Sequence, residues 1–242
     1  MEKATTMRRN DFLERMYAIA LAPGLAAAVP LQGEIAGVGI PDSAMAREAA
    51  STALACEPPE IFAHSLRTFL FAELIAKARA TDHDTEAVYV ASILHDTGLT
   101  AAYMSPHNRF EVDGANLARR LVARYGIGGV RAELIWDAIA LHDDGGIARW
   151  KQPEVALVNA GVSTDFGAHL GLLARGDVVA VLKAAPRTGF IPVFLDALVS
   201  LVKRKPEVAA TYFVTDVALR RVSGFTVGNF CDDVKSDPFE VY

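Results

Sequence analysis

Apolar residues recur at helical spacing along most of the chain, and no segment shows a convincing two-residue alternation of apolar and polar positions. Residues 59–80 carry one broad apolar face, and residues 85–94 are apolar through most of their length. The same spacing predicts further helices over 6–21, 111–125, 130–142, 153–165, 170–183, 192–203 and 206–220. The pattern therefore predicts an all-α fold.

Prolines and short polar side chains indicate where some of these helices begin. Pro41-Asp42-Ser43 predicts a helix start with Asp42 or Ser43 as the N-cap. Pro59 favours the start of the long helix, because proline is well tolerated in a first helical turn. The glycine-containing segment 22–41 reads as an irregular arm that precedes the main helices.

The length of 242 residues fits one large domain or two small ones. We predict one globular unit with three parts. Residues 1–56 hold an N-terminal helix, the arm and a leading helix packed on the core. Residues 57–185 form the domain with the candidate chemistry, and residues 186–242 form C-terminal helices and a tail.

Composition and charge exclude several classes of protein. Hydrophobic residues make up 52% of the chain, which is ample for a core, and the net charge of −5 offers no basic surface for nucleic acid. No apolar stretch is long enough to span a bilayer, and residues 1–10 lack the features of a secretory signal. Cys56 and Cys231 are too few for a disulfide framework. We therefore expect a cytoplasmic protein, and the arm and tail favour a homo-oligomer.

The most distinctive chemistry lies at His95-Asp96, where an apolar helix ends just before Gly98. A buried carboxylate must be paired or bound to a cation, because desolvating it alone is very costly. Histidine and aspartate are ligands expected of zinc, iron(II) or manganese. Taken by itself, however, such a dipeptide is more often a core histidine that hydrogen-bonds to its neighbour.

Two more residues strengthen the metal hypothesis. His64 lies near the start of the long helix and Asp165 near the end of a later one, each in an apolar context where an unpaired polar group is expensive. We therefore predict that His64, His95, Asp96 and Asp165 together bind a divalent metal ion. Zinc is the first expectation, and iron(II) and manganese are compatible with the same ligands.

The order of these motifs resembles that of the HD-domain superfamily, a group of all-helical metal-dependent hydrolases, over roughly residues 64–169. Members of the family often write the central motif as Leu-His-Asp-x-Gly-Lys. Residues 94–99 follow that pattern, except that Leu99 replaces the lysine. The resemblance implies a helical bundle around a metal site.

Departures from the family pattern bear on the number of metal ions. Phe110 stands where dinuclear members usually carry a histidine, and a later His-His pair is reduced to His142-Asp143. Because these changes remove ligands of a second metal, we expect one metal ion. His107 would complete a second site only if its loop folded inward.

The motifs also resemble, more narrowly, those of the cyanamide hydratase branch. The similar segments are residues 40–43, 64–69, 94–100, 109–115, 138–142 and 153–158. This resemblance implies that a metal-activated water adds to a small nitrile-type substrate and turns cyanamide into urea. Such a reaction has no phosphate to hold, which agrees with Leu99 in place of lysine.

The nitrogen of a nitrile-type substrate must gain a proton, and Glu111, Asp113 and His142 are the predicted catalytic donors. Each has an ordinary structural alternative. Acidic residues in a first helical turn are common partners of the helix dipole, and a histidine at a helix end can act as a C-terminal cap.

Two residues are predicted to bind the substrate. Asn108 lies in the loop that must cover the metal, and Arg67 lies one helical turn after His64. The alternative for Arg67 is a structural salt bridge, for instance to Asp113 or Glu111.

Two other functions remain open at the level of sequence. One is a phosphohydrolase that acts on a nucleotide or another phosphate monoester, in which Arg67, Arg109 or Lys151 would hold the phosphate oxygens. The other is a non-catalytic module in which the metal only stabilises the fold. A small-molecule substrate is the expected partner for either enzyme.

Overall fold

The computed structural model of the protein describes residues 32–209 and 213–228. The helix predicted over 6–21, the first part of the arm, Cys231 and the end of the tail lie outside the described residues. Within them the chain forms nine α-helices and one very short hairpin, so the predicted all-α fold is confirmed.

The helices follow one another in a chain of short connections. They are α1 (Ala44–Cys56), α2 (Pro59–Arg79), α3 (Thr85–Leu94), α4 (Phe110–Ala123), α5 (Gly129–Ala140), α6 (Pro153–Asp165), α7 (Arg175–Ala184), α8 (Phe190–Arg204) and α9 (Phe213–Arg221). Short 3₁₀ turns lie at Thr97–Leu99, Ala148–Trp150, Leu170–Leu172 and Pro206–Ala209.

Side-chain caps begin two of the helices, and the first of these caps was predicted from the sequence. The Ser43 hydroxyl oxygen accepts a hydrogen bond from the Ala46 amide at 3.0 Å, so Ser43 is the N-cap of α1. The Asp84 carboxylate accepts from the Ala87 amide at 3.0 Å and caps α3 in the same way.

Some predicted elements differ from the structure. The helix predicted over 170–183 begins only at Arg175, because Ala174 has an extended backbone after the 3₁₀ turn. The helix predicted over 206–220 is divided into a 3₁₀ turn and α9. The prediction of an irregular arm is wrong for residues 34–39, which form an antiparallel hairpin, β1 (Glu34–Ile35) with β2 (Val38–Gly39).

Helix α2 is the centre of the core, and nearly all its side chains between Ile61 and Ala76 are buried. Its main partner is α6, and Gly161 allows the two backbones to approach closely. A Cβ atom at Gly161 would lie 2.2 Å from the Thr68 carbonyl oxygen, so no larger residue fits there. This approach brings the end of α6 beside the first turns of α2.

A second close approach lies at the turn after α3. A Cβ atom at Gly98 would lie 1.9 Å from the Phe110 carbonyl oxygen, so this turn lies directly against the start of α4. Two side chains at the start of α4, those of Phe110 and Glu111, are buried as a result.

The C-terminal helices pack over the same side of the domain. Leu99 and Phe110 form an apolar cluster with Phe190 and Leu198 from α8 and with Val214 from α9. The boundaries of the three predicted parts stay predictions. None of the described helices combines the length and the apolar character that crossing a membrane requires.

Candidate metal centre

Three predicted ligands meet in the buried interior between α2 and the end of α3. His64 Nε2 lies 3.3 Å from His95 Nε2, and the Asp96 Oδ2 atom lies 3.3 Å from His95 Nε2 and 3.8 Å from His64 Nε2. All three side chains are almost completely buried. They are the one group of histidine, cysteine and carboxylate atoms, among the residues that the structure describes, with the spacing of a metal site.

The other nitrogen of each imidazole is already engaged. His95 Nδ1 lies 2.7 Å from the Ser92 carbonyl oxygen and His64 Nδ1 lies 2.7 Å from Asp165 Oδ2, so both nitrogens donate. In the neutral ring the Nε2 atom then carries a lone pair and accepts. Two accepting nitrogens therefore face each other beside the Asp96 carboxylate, an arrangement that requires a cation or a proton between them.

The donor set fits a divalent metal. Asp96 Oδ2 is buried and has no hydrogen-bond partner within the described ranges. Burial acts to raise the pKa of Asp96, but His95 outweighs it and holds that pKa well below its usual range. Burial alone would lower the pKa of His95. The neighbouring Asp96 outweighs burial, so the pKa of His95 is raised. An ionised carboxylate with two imidazole nitrogens is the chemistry that zinc, iron(II) and manganese accept.

Asp165 is placed differently from its prediction as a direct ligand. Its Oδ2 atom accepts from His64 Nδ1, which is the ring nitrogen that does not belong to the ligand group. Arg67 donates to both of its oxygens, from Nε and Nη2, at 2.8 Å each. In this arrangement Asp165 orients His64 and fixes its tautomer, a role known for carboxylates behind metal-binding histidines.

The surroundings of Arg67 also differ from expectation, because its salt bridge is made to Asp165 and not to Asp113 or Glu111. The guanidinium is fully buried, and Nη1 donates to the carbonyl oxygens of Ala185 and Pro186. Its donors are thus used within the protein, and these contacts do not support the predicted role in substrate binding.

His142 lies beside the ligand group, as its catalytic prediction requires. Its ring centroid is 4.6 Å from that of His95, and its Nε2 atom is 4.0 Å from Asp96 Oδ1. Nδ1 lies 2.7 Å from the Ile139 carbonyl oxygen and donates to it, so the ring also caps the end of α5. Burial, and then the neighbouring His95, lower the pKa of His142 to about 4, so the ring is neutral near pH 7.

Glu111 was predicted as a catalytic proton donor, and its side chain is buried. The Arg109 Nη2 atom donates to Glu111 Oε1 at 2.6 Å and to Asp143 Oδ2 at 3.2 Å. Burial raises the pKa of Glu111 to about 8, with a further contribution from Asp143 and an opposing one from Arg109. Asp143 was not among the predicted functional residues, although its position after His142 was the available signal.

Asp113 and Asn108 hold the loop before α4 in place. The Asn108 amide donates to Asp113 Oδ1 at 3.1 Å, and the Ser105 amide donates to Asp113 Oδ2 at 2.8 Å. The buried Lys205, from the end of α8, donates to Asp113 Oδ2 at 3.0 Å. These contacts give both residues a structural role, and their predicted catalytic and substrate-binding roles stay predictions.

Two further placements concern residues near the site. His107 does not fold inward: its side chain is 86% exposed, so the described loop supplies no second-metal histidine.

Glu57 was not among the predicted site residues. It is buried, and both of its carboxylate oxygens have no hydrogen-bond partner of normal geometry in the described chain. Burial, and then Asp96, raise the pKa of Glu57 well above its usual value. The signal for it was an acidic residue immediately before the helix that carries His64.

Aromatic rings form the remaining wall around His64. The Phe190 ring stacks on its imidazole with a centroid distance of 4.6 Å and an interplanar angle of 20°. Phe194 and Phe166 lie at 6.2 Å and 5.6 Å. Phe166 is 50% exposed and so extends this wall to the protein surface.

Comparison with known families agrees with the fold and the ligand group. The family model described as HD domain matches residues 61–171. This segment contains all four predicted ligands and runs from the start of α2 through α6. The match supports membership of the HD-domain superfamily, whose members are in general metal-dependent hydrolases. No curated protein matches the chain.

Proposed function

We propose that the protein is a metal-dependent enzyme that adds water to a small nitrile-type substrate, with cyanamide converted to urea as the reaction to test first. The coarser statement, an HD domain with hydrolase-type metal chemistry, rests on the family match and the ligand group. The finer choice of substrate rests on what surrounds that group.

The observation that carries the choice is the absence of a free cation near the described ligand group. A phosphate substrate requires positively charged groups to hold its oxygens. Arg67 and Arg187 are both paired with Asp165, and Arg109 is paired with Glu111 and Asp143.

Lys151, the third candidate for holding a phosphate, is also engaged. Its Nζ atom lies 2.6 Å from Asp137 Oδ2. The wall beside His64 is aromatic, which suits a small uncharged molecule better than a phosphate ester.

The chain's own residues supply position and proton transfer. His64, His95 and Asp96 would hold the metal ion, which supplies a bound water of lowered pKa. Asp165 and Arg67 keep His64 in the tautomer that presents Nε2. Phe190 and Phe194 exclude bulk water from the side of the centre that they cover.

The proton for the substrate nitrogen must come from a group beside the centre. His142 is neutral near pH 7 and donates its Nδ1 proton to a backbone carbonyl, so it serves better as an acceptor than as an acid. Of the two acidic residues predicted as donors, Asp113 is already paired with Lys205. Glu111 is therefore the better candidate for the proton donor.

The test is a direct comparison of two activities in the metal-loaded protein. Urea release from cyanamide, with zinc, iron(II) and manganese supplied in turn, is expected to exceed phosphate release from a panel of nucleotides. Phosphate release without urea release would contradict the proposal and favour a phosphohydrolase. Metal binding without either activity would favour a structural role. A homo-oligomer is also proposed, and sedimentation of the same samples measures it.

A further inference from the structure

Two carboxylate groups of the described chain share a single cationic neighbour beside the metal centre. Glu111 is 1% exposed, and the Asp143 side chain is 11% exposed. One guanidinium nitrogen, Arg109 Nη2, lies 2.6 Å from Glu111 Oε1 and 3.2 Å from Asp143 Oδ2. One positive charge therefore faces two carboxylates in a site with little water.

The second oxygen of each of the two carboxylates has no hydrogen-bond partner among the described residues. These oxygens, Glu111 Oε2 and Asp143 Oδ1, are buried. Two ionised carboxylates cannot stabilise each other, but a carboxyl and a carboxylate can, because the protonated one donates. Both carboxyl groups hydrogen-bond to the same nitrogen, Arg109 Nη2, so a proton on one of them has the other as its neighbouring acceptor.

The pair lies next to the proposed reaction centre. Asp143 directly follows His142, whose ring packs against His95, and its charge acts on both histidines. The groups that face the pair are thus Arg109 from the preceding loop, His142 at the end of α5 and His95 after α3. His142 is neutral near pH 7, so it adds no positive charge that would remove the need for a proton.

We propose that Glu111 and Asp143 hold one proton between them at neutral pH and deliver it to the substrate nitrogen during hydration. Glu111 is the donor, and Asp143 is a positioning residue that keeps the proton on the pair. This inference rests on the proposed function for its substrate. The pKa of Glu111 supports the shared proton without reference to any substrate. Burial, with a further contribution from Asp143, raises that pKa to about 8.

The step balances in atoms and electrons. The oxygen of water forms a bond to the nitrile carbon, and one carbon–nitrogen π bond breaks and leaves its electron pair on nitrogen. That nitrogen takes the proton of Glu111, and the proton lost by the water returns to the carboxylate pair. The resulting isourea tautomerises to urea, so the pair ends in its starting state.

Infrared spectroscopy of the metal-loaded protein without substrate tests the shared proton. The wild-type protein is expected to show the carbonyl band of a protonated carboxyl group at pH 7. Glu111→Gln should remove the component of this band that belongs to the pair, whereas a component from the buried Glu57 should remain. Asp143→Asn should weaken the same component, because Glu111 then keeps the positive neighbour Arg109 and loses the negative one. Glu133→Gln, which alters an exposed carboxylate paired with Arg119, is the matched control and should keep the band.

The pH profile of urea formation separates proton delivery from a merely structural effect. Activity should fall as pH rises through the pKa of Glu111, since the donor must be protonated. Asp143→Asn removes a negative neighbour and should shift this alkaline limb down by about one pH unit or more. Arg109→Met removes the positive neighbour and should shift the limb up. Glu111→Gln should lower kcat by about 10²-fold or more without loss of metal.

The outcomes separate this inference from the proposed function. A protonated carboxyl band that depends on both Glu111 and Asp143 supports the shared proton even if no urea is formed, and then the proposed substrate falls alone. Urea formation without such a band would overturn the shared proton. Shifts of the alkaline limb in the same direction for Asp143→Asn and Arg109→Met would overturn it as well.

Discussion

Two buried clusters of polar atoms lie on either side of the turn at Gly98, and they use those atoms in opposite ways. At Asp113 both carboxylate oxygens accept hydrogen bonds, from Asn108, Ser105 and Lys205. At Asp96 one buried oxygen has no partner among the described residues, and two imidazole nitrogens face it.

Unused hydrogen-bond acceptors separate functional from structural charge in this protein. A buried polar group without a partner is destabilising, so it persists only where something outside the chain completes it. Both aspartates lie close to the same turn, and both were predicted site residues. Only the one with unused acceptors is placed to bind a ligand.

The largest expected effect comes from Asp96→Asn, which attacks the unsatisfied cluster. Metal binding should be lost, and urea formation should fall by about a thousandfold or more. The metal-free protein should lose little of its free energy of unfolding, because the cost of burying the Asp96 carboxylate offsets much of its attraction to His95. Metal content by mass spectrometry and denaturant unfolding after chelation measure the two effects. Asp137→Asn, at a surface pair, is the control, and wild-type metal affinity in Asp96→Asn would refute the assignment.

Lys205→Met should have the opposite profile, since it attacks the satisfied cluster. Breaking a buried charge pair that is 1% and 3% exposed should lower the free energy of unfolding by about 3–5 kcal/mol. The folded fraction should bind metal normally. Denaturant unfolding and metal titration at low temperature measure this, with the exposed Lys203→Met as the matched control. A stable variant without activity would instead return Asp113 to a catalytic role.

Asp165→Asn and Arg67→Met test the residues behind the ligand group, because Asp165 contacts the ligand His64 and Arg67 holds Asp165 in place. Each should weaken metal binding by about 10–100-fold. The visible absorption spectrum of the cobalt-substituted Asp165→Asn protein should keep its wild-type shape, since the set of ligand atoms is unchanged. A changed coordination spectrum would show that Asp165 is a direct ligand. Arg149→Met, at an exposed arginine beside Trp150, serves as the reference.

The smallest effect is expected at a half-exposed pair, Asp84 with Arg131. Burial acts to raise the pKa of Asp84, but Arg131 outweighs it and the pKa is lowered. The charged form therefore stabilises the fold above the unfolded pKa near 3.9, and this contribution is lost as pH falls through the lower folded value. Asp84→Asn keeps the N-cap and should remove only about 0.5–1 kcal/mol at pH 7.

Denaturant unfolding of Asp84→Asn between about pH 7 and pH 2 checks the sign of that effect. The difference from the wild-type protein should shrink as the pH falls. A difference that grows on acidification would contradict the lowered pKa of Asp84.

Much of the fold could be predicted from local pattern. The bounds of α2, α3 and α6 agree with the prediction to within a residue or so, because apolar spacing, prolines and caps act within one or two turns. Local pattern failed where an extended residue separates a 3₁₀ turn from a helix, as at Ala174, and where a two-residue strand is too short to show alternation.

The candidate site was predictable in its membership and less so in its contacts. His64, His95 and Asp96 converge as expected, since polar residues in apolar helices must meet something that satisfies them. The contacts of Asp113 with Lys205 and of Asp165 with Arg67 were not predictable, because each joins residues more than ninety positions apart: 92 for the first and 98 for the second. Such contacts depend on which helices pack together and on the register between them.

The sequence by itself determined that this protein is a bundle of helices with histidine and aspartate at the ends of its most apolar segments, because those signals are local. Only the tertiary structure decided which ring nitrogen of His64 faces the centre, and that Asp165 lies on the other side of that ring. It also decided that Glu111 meets Asp143. The physical reason is that a side chain's partner is set by the packing of distant helices, such as the close approach at Gly161, which no local pattern encodes.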